Sequence, residues 1–125
     1  MTQEQKELLL KDLCSRLPYG VKVNDYIQGD FTLIGLTNER IFTTCEVEGH
    51  YNDFPIENIK PYLFSLSSMT EKQSKEYHEL IGGMFGTSAL INFEVLEDFF
   101  HKNHLDYRGL IPMGLAIDAT GLNIY

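Results

Sequence analysis

Apolar residues recur at helical spacing near the start of the chain and predict a first helix over residues 3–17. The apolar positions that share one face of this helix are Leu10, Leu13, Cys14 and Leu17. Thr2 stands where an N-cap is expected, and Gln5 three positions later completes a capping box. We therefore expect this apolar face to be buried against the rest of the protein.

The pattern then changes to the period of two that is typical of strands. Segments with this alternation, or rich in β-forming residues, are 21–28, 31–37 and 40–47. The wetter face of the third segment carries Arg40, Phe42, Thr44 and Glu46. Residues 48–59 are expected to be irregular, and residues 60–66 are the candidate for a fourth strand. Because proline lacks a backbone N–H, Pro55 and Pro61 restrict any strand there to a sheet edge.

Helical spacing returns after residue 70 and predicts a second helix. Thr70 with Gln73 can form its capping box, and Ser68 with Glu71 is the alternative. The residues of its predicted buried face are Tyr77, Leu80, Ile81, Met84 and Phe85. The glycine pair at 82–83 is expected to end or kink this helix.

A third helix is predicted from about Asn92 to Asn103. Its apolar arc consists of Phe93, Leu96, Phe99 and Phe100. The tail that follows contains four glycines and a proline, so we expect ordered coil with a short strand at 115–117. Together the patterns predict one α+β domain over residues 1–125. It has an N-terminal helix, an antiparallel meander of three to four strands, two C-terminal helices and a coil tail.

Ten basic and eighteen acidic residues give the chain a net charge of −8. Residues 1–60 and 61–125 each carry −4, and neither contains a basic stretch. We therefore expect neither direct nucleic-acid binding nor membrane-surface binding, since phosphates and anionic lipids repel such a surface. The longest uncharged apolar run, residues 109–117, is too short to span a membrane. The N-terminal residues lack the features of a signal peptide, which favours a cytoplasmic location.

Cys14 and Cys45 are the only cysteines. Their number and separation make neither a disulfide framework nor a C-x-x-C motif. Each lies at an apolar position of its predicted element, so we expect two small buried hydrophobic residues in a reducing compartment.

No complete catalytic or cofactor motif occurs in the sequence, and no cofactor is predicted. His78-Glu79 would begin a zinc-protease motif, but Gly82 stands where its second histidine is needed. The best metal candidates are Glu97, His101 and His104, near the end of the third helix. The alternative is that these side chains form an ordinary i, i+4 pair and complement the helix dipole.

Aromatic residues are frequent in the less regular segments and predict a binding surface. The residues that we select as binding candidates are Tyr62, Tyr107 and Arg108, because aromatic side chains and arginine are enriched in protein interfaces. Asp106 and Gly109 favour a turn that projects the Tyr107-Arg108 pair. The alternative is that Tyr107 packs in the core while Arg108 pairs with a carboxylate.

Three segments resemble a group of short uncharacterised proteins encoded by gut Bacteroidales bacteria and their phages or mobile elements. The segments are KPYLFSLSSMT at 60–70, LDYRGLI at 105–111 and GLA at 114–116. The N-terminal LLLKDLCSRLPYGVKV is also similar. Members of the group usually have Arg-Pro in place of Phe64-Ser65. The resemblance implies a cytoplasmic protein of bacterial or phage origin and carries no activity.

These observations favour a small non-enzymatic accessory or protein–protein interaction module with an unidentified protein partner. One alternative is a metal-binding protein or enzyme that uses Glu97, His101 and His104. A second alternative is an acidic inhibitor of a nucleic-acid enzyme, because an acidic surface can imitate DNA.

Overall fold

A computed structural model describes residues 1–85 and 93–125. Its α-helices in these residues are α1 (Gln3–Arg16), α2 (Glu71–Phe85) and α3 (Phe93–Lys102). Its strands are β1 (Lys22–Asp25), β2 (Gly29–Leu36), β3 (Arg40–Thr43), β4 (Asn52–Pro55), β5 (Ile59–Leu63) and β6 (Ile117–Asp118). Short 3₁₀ helices occupy Leu17–Tyr19, Ile56–Asn58 and Leu66–Ser68. The predicted α+β class is confirmed.

Two predicted capping boxes are confirmed, and each one begins a helix. At α1, Gln5 N donates to Thr2 Oγ1 at 3.1 Å, and Thr2 N donates to the Gln5 side chain at 3.0 Å. Before α2, Thr70 and Gln73 make the same reciprocal pair at 3.1 and 3.0 Å. Each capping box depends only on two residues three positions apart, so both boxes can be predicted from the sequence alone.

The described strands form one sheet in the order β4-β3-β2-β1-β5-β6. Strands β1 to β4 follow one another as an antiparallel meander, and β5 returns to pair with β1. Strand β6 pairs in parallel with β5. The prediction of three to four strands is therefore wrong in number.

Two strands account for the difference in number. Strand β4 lies inside the segment 48–59 that was expected to be irregular, and its Pro55 is tolerated because β4 is an edge strand. Strand β6 overlaps the short strand expected at 115–117. The expectation that Pro61 would restrict its strand to a sheet edge is wrong, because β5 lies between β1 and β6. However, β6 pairs only with Tyr62 and Leu63 of β5 and does not reach Pro61. Pro61 therefore has a partner strand on one side alone within the described sheet.

Helix α1 and one face of the sheet enclose the main core. The buried apolar residues of this core come from α1, from the first five strands and the residues next to them, and from the C-terminal segment: Leu9, Leu13, Val21, Val23, Leu33, Ile41, Phe54, Ile56, Ile59, Leu63, Leu110, Leu115 and Ala116. Leu8, which is not among the residues of the predicted apolar face, is half-buried against this core. The core therefore joins residues from both ends of the chain.

The buried face of α1 is rotated by one residue from the prediction. Its buried residues are Leu9, Asp12, Leu13 and Arg16. Leu10 and Leu17 are only half-buried, and Cys14 is exposed. The apolar pattern misplaces the face because two of its buried positions carry charges that pair with each other. Cys45, also expected to be buried, is half-buried.

A second core lies where α2 and α3 meet. Phe99, Phe100 and Leu105 are buried there, while Tyr77, Leu80 and Leu96 are half-buried around them. The glycine pair at 82–83 was expected to end or kink α2. The helix continues through the pair to Phe85, so it does not end there, and the kink stays a prediction. The side chains of Met84 and Phe85, and the predicted start at Asn92, lie outside the described parts of the structure.

In the described residues, no helix has both the length and the apolar character needed to cross a membrane.

Phe99→Ala should lower the free energy of unfolding by about 3–5 kcal/mol, because a large buried ring in contact with Tyr77 and Phe100 is lost. The matched control is Phe93→Ala on the same helix, where the ring is exposed. Urea unfolding followed by circular dichroism measures both variants. Similar losses for the two would contradict the second core.

Candidate functional site

The segment that carries Tyr107 and Arg108 is a turn organised by the carboxylate of Asp106. This buried carboxylate accepts the backbone N–H of Leu110 at 2.8 Å and of Ile111 at 2.9 Å. The backbone N–H of Asp106 donates to Phe64 O at the end of β5, also at 2.8 Å. The expected turn is therefore present, and it is fixed to the sheet.

Arg108 turns toward α1 and joins a buried charge cluster. Its Nε lies 3.1 Å from one oxygen of Asp12, and Nε of Arg16 lies 2.8 Å from the other. The side chains of Asp12 and Arg16 are 0% exposed, and that of Arg108 is 14% exposed. Arg16 also donates from Nη2 to the carbonyl of Leu105 at 2.6 Å. One carboxylate thus links α1 to the segment after α3.

Tyr107 is packed and hydrogen-bonded within the same cluster. Its ring stacks on Phe100 at 4.9 Å, and the Arg108 guanidinium lies 4.8 Å from the ring centroid. The Tyr107 hydroxyl and Nε2 of His101 are 2.9 Å apart. Burial raises the pKa of Tyr107. These contacts match the alternative in which Tyr107 packs inside the protein and Arg108 pairs with a carboxylate. That Tyr107 and Arg108 bind a partner stays a prediction.

Tyr62 belongs to a different group of contacts. It is buried in β5, and its hydroxyl donates to Asp30 of β2 at 2.5 Å. Its carbonyl accepts the hydroxyl of Tyr125 at 2.8 Å. Burial is the main cause that raises the pKa of Tyr62 to about 12, followed by the hydrogen bond to Asp30. Tyr62 thus contacts different residues from those that Tyr107 and Arg108 contact. A role for Tyr62 in binding another protein also stays a prediction.

The metal candidates have separate surroundings. Glu97 is exposed on α3, whereas His101 is buried and contacts Tyr107. His104 lies beyond the helix at a φ of 55°, with its ring stacked 3.7 Å from that of Tyr125. Within residues 1–85 and 93–125, no group of three His, Cys, Asp or Glu side chains is placed to hold a metal ion.

The outer face of the sheet carries an apolar patch that the sequence analysis did not select. We define the outer patch as Ile34, Gly35, Phe42 and Tyr51, which line a shallow cavity of about 250 Å³. Ile34 is 51% exposed and Tyr51 is 61% exposed. The Phe42 and Tyr51 rings meet edge to face at 5.5 Å. The signal for this patch was Phe42, an aromatic residue on the strand face predicted to be wetter.

A β-bulge places Gly35 in the outer patch. The register between β2 and β3 shifts between Leu33, which pairs with Thr43, and Gly35, which pairs with Phe42. Leu33 is buried, so Ile34 faces solvent by ordinary alternation. Because Ile34 is the additional residue, Gly35 comes opposite Phe42 and Leu36 packs against the core. Gly35 leaves the space above Phe42 open, since a Cβ there would come no closer than 3.7 Å to that ring.

Asp12→Ala should lower the free energy of unfolding by about 3–5 kcal/mol, because it leaves Arg16 buried without its counter-charge. Lys11→Ala, an exposed neighbour on the same helix, should change it by less than about 0.5 kcal/mol. The double variant D12A/R16M should recover part of the loss, since it removes the unpaired charge. Additive losses in urea unfolding would contradict the buried pair.

Acid should destabilise the protein through His104. Burial, and secondarily the charge of Arg16, lower the pKa of His104 from 6.5 to about 4. Below pH 6.5 the unfolded chain therefore binds a proton that the folded chain excludes. This contribution to the free energy of unfolding is complete above pH 6.5 and is lost as the pH falls toward 4. Because the ring is only half-buried and solvent screens part of the effect, the loss is about 1–3 kcal/mol.

The measurement is urea unfolding at pH 7.0 and 4.5 for three proteins. His104→Asn, chosen because asparagine tolerates positive φ, should have a smaller pH-dependent loss than the wild type. His50→Gln, at an exposed histidine, should keep the wild-type loss. Equal pH dependence in the wild type and His104→Asn would show that His104 does not contribute.

No model of a protein family, no curated protein and no solved structure matches this chain. The resemblance to the Bacteroidales and phage proteins therefore stays a prediction.

Proposed function

We propose that this chain is a protein-interaction module and that its binding face is the outer patch. The observation that carries the proposal is the exposure of Ile34 and Tyr51 around an open cavity floored by Phe42. Exposed apolar side chains grouped around a concave surface are a common feature of interaction sites. The aromatic pair supplies contact area with few rotatable bonds, so little conformational entropy is lost on binding.

The position of the patch supports binding through the sheet face, not through the sheet edge. Strand β4 is short, contains Pro55 and places the charged Asp53 beside the edge. Such features oppose the addition of a partner strand. On the sheet face, by contrast, the bulge brings Gly35 opposite Phe42 beside the exposed Ile34, and bulges are frequent next to functional sites.

Photocrosslinking at two exposed tyrosines tests the proposal. The photoreactive analogue p-benzoylphenylalanine replaces Tyr51 in the patch or Tyr26, which is 73% exposed at the turn before β2. The two sites lie at opposite ends of β2, about 20 Å apart at the rise of a strand. In cells of the organism that encodes the chain, position 51 should yield a discrete protein adduct that position 26 does not.

Two further substitutions refine the crosslinking test. Gly35→Ala adds one methyl group at ordinary contact distance from Phe42, so it fills the cavity floor without a steric clash. It should reduce the adduct at position 51 severalfold while the unfolding midpoint stays within experimental error or rises slightly. An adduct that Gly35→Ala leaves unchanged, or one formed equally at both positions, would contradict the outer patch as the binding face.

A further inference from the structure

Most of the net negative charge of the chain lies in the segment that contains the outer patch. Residues 23–59, which run from the second residue of β1 to the first residue of β5, contain seven carboxylates and one cationic side chain, for a net charge of −6 out of −8. The rest of the chain is close to neutral by comparison. The net charge of residues 1–60 is only −4 because Lys22 and Lys60, which flank this segment, offset two of its negative charges, while α1 is neutral.

Asp25 and Asp30 lie at the opposite end of β2 from the outer patch, and Glu57 pairs with Lys6 of α1. The other carboxylates of the segment belong to β4 and to the turns that flank β3: Glu39, Glu46, Glu48 and Asp53.

The single cation of this segment is already neutralised. Nε of Arg40 lies 2.7 Å from Asp53, on the outer face next to Phe42. Within residues 1–85 and 93–125, three carboxylates of the segment make no hydrogen bond or ion pair: those of Glu39, Glu46 and Glu48. These three side chains are exposed.

Two of the free carboxylates belong to the loop that carries Tyr51. The loop of residues 44–51 closes where Thr43 pairs with Asn52, and Asn52 Nδ2 donates to Thr44 O at 2.9 Å. A backbone hydrogen bond from His50 to Val47 folds its tip. Glu46 and Glu48 are thus held in the same short loop as the exposed aromatic ring.

We infer that the partner presents a basic protein segment with an apolar anchor. The anchor enters the outer patch, while lysine or arginine side chains meet the acidic rim, which we define as Glu39, Glu46 and Glu48. This inference rests on the proposed function and specifies its partner. Charge complementarity selects this occupant. Nucleic acids and anionic membranes carry the same sign of charge as the rim.

A second copy of this chain is also disfavoured as the occupant. A two-fold symmetric contact brings the same patch of both copies together. The two acidic rims would then face each other, and each would add to the repulsion between molecules of charge −8.

The experiment selects ligands from a phage-displayed library of random 12-residue peptides against the wild-type protein. Enriched peptides should combine one large apolar residue with at least two lysines or arginines and no acidic residues. Their binding, measured by calorimetry, should be weakened at least tenfold by Tyr51→Ala and little changed by Tyr26→Ala.

Paired charge variants then locate the acidic contribution. E46Q/E48Q should weaken peptide binding by about threefold to tenfold, the range expected for two exposed ion pairs. The control E71Q/E79Q removes the same charge from exposed positions of α2 and should leave affinity nearly unchanged. A rise from 50 to 500 mM salt should abolish most of the difference between the wild type and E46Q/E48Q.

The outcomes separate the two proposals. Peptides that require Tyr51 but carry no excess of basic residues would retain the outer patch and overturn the basic partner. Peptides insensitive to Tyr51→Ala, or the absence of enriched peptides, would contradict both. Concentration-dependent dimerisation that Tyr51→Ala abolishes would make a second copy the occupant and overturn the basic partner.

Discussion

A buried carboxylate with two arginine partners connects distant parts of this protein. Asp12 has no solvent exposure and meets Arg16 from its own helix and Arg108 from the segment after α3. Taking these charges out of water is expensive unless each has its partner in place. The orientation of α1, the path of residues 105–111 and the packing of Tyr107 all follow from that requirement. Because Arg16 also binds the Leu105 carbonyl, the cluster fixes backbone as well as side chains.

The same cluster explains where prediction from the sequence failed. An apolar stripe is a reliable guide to the buried face of a helix when charged residues stay in water. Here Asp12 and Arg16 are buried, and their i, i+4 spacing is also that of an ordinary exposed pair. The sequence therefore placed Leu10 and Cys14 inward, one residue out of phase. Arg108, which is distant in the sequence, pairs with Asp12 and so favours burial of this face of α1. Its proximity to Asp12 cannot be deduced from spacing along the chain.

Local devices, by contrast, could be predicted well. Both capping boxes depend on pairs three residues apart, and the first three strands follow from alternation and β-propensity. Strand β6 depends on parallel pairing with β5, more than 50 residues earlier. The outer patch could be predicted only in part: Phe42 is an aromatic residue on the strand face expected to be wetter, but the pairing of Gly35 with Phe42 depends on a bulge between β2 and β3. Bulges arise from pairing, and pairing is a tertiary property.

The hydrogen bond from Arg16 to Leu105 joins residues 89 positions apart, and this separation has a consequence for synthesis on the ribosome. At about 5–20 residues per second, the arginine waits roughly 5–18 s before its acceptor has been made. During that interval α1 has no completed charge cluster to bury. The leucines of α1 and the apolar residues of the strands already made stay exposed during that time. Chaperones and other nascent chains can bind them. Completion of the native structure is therefore coupled to a late step in translation.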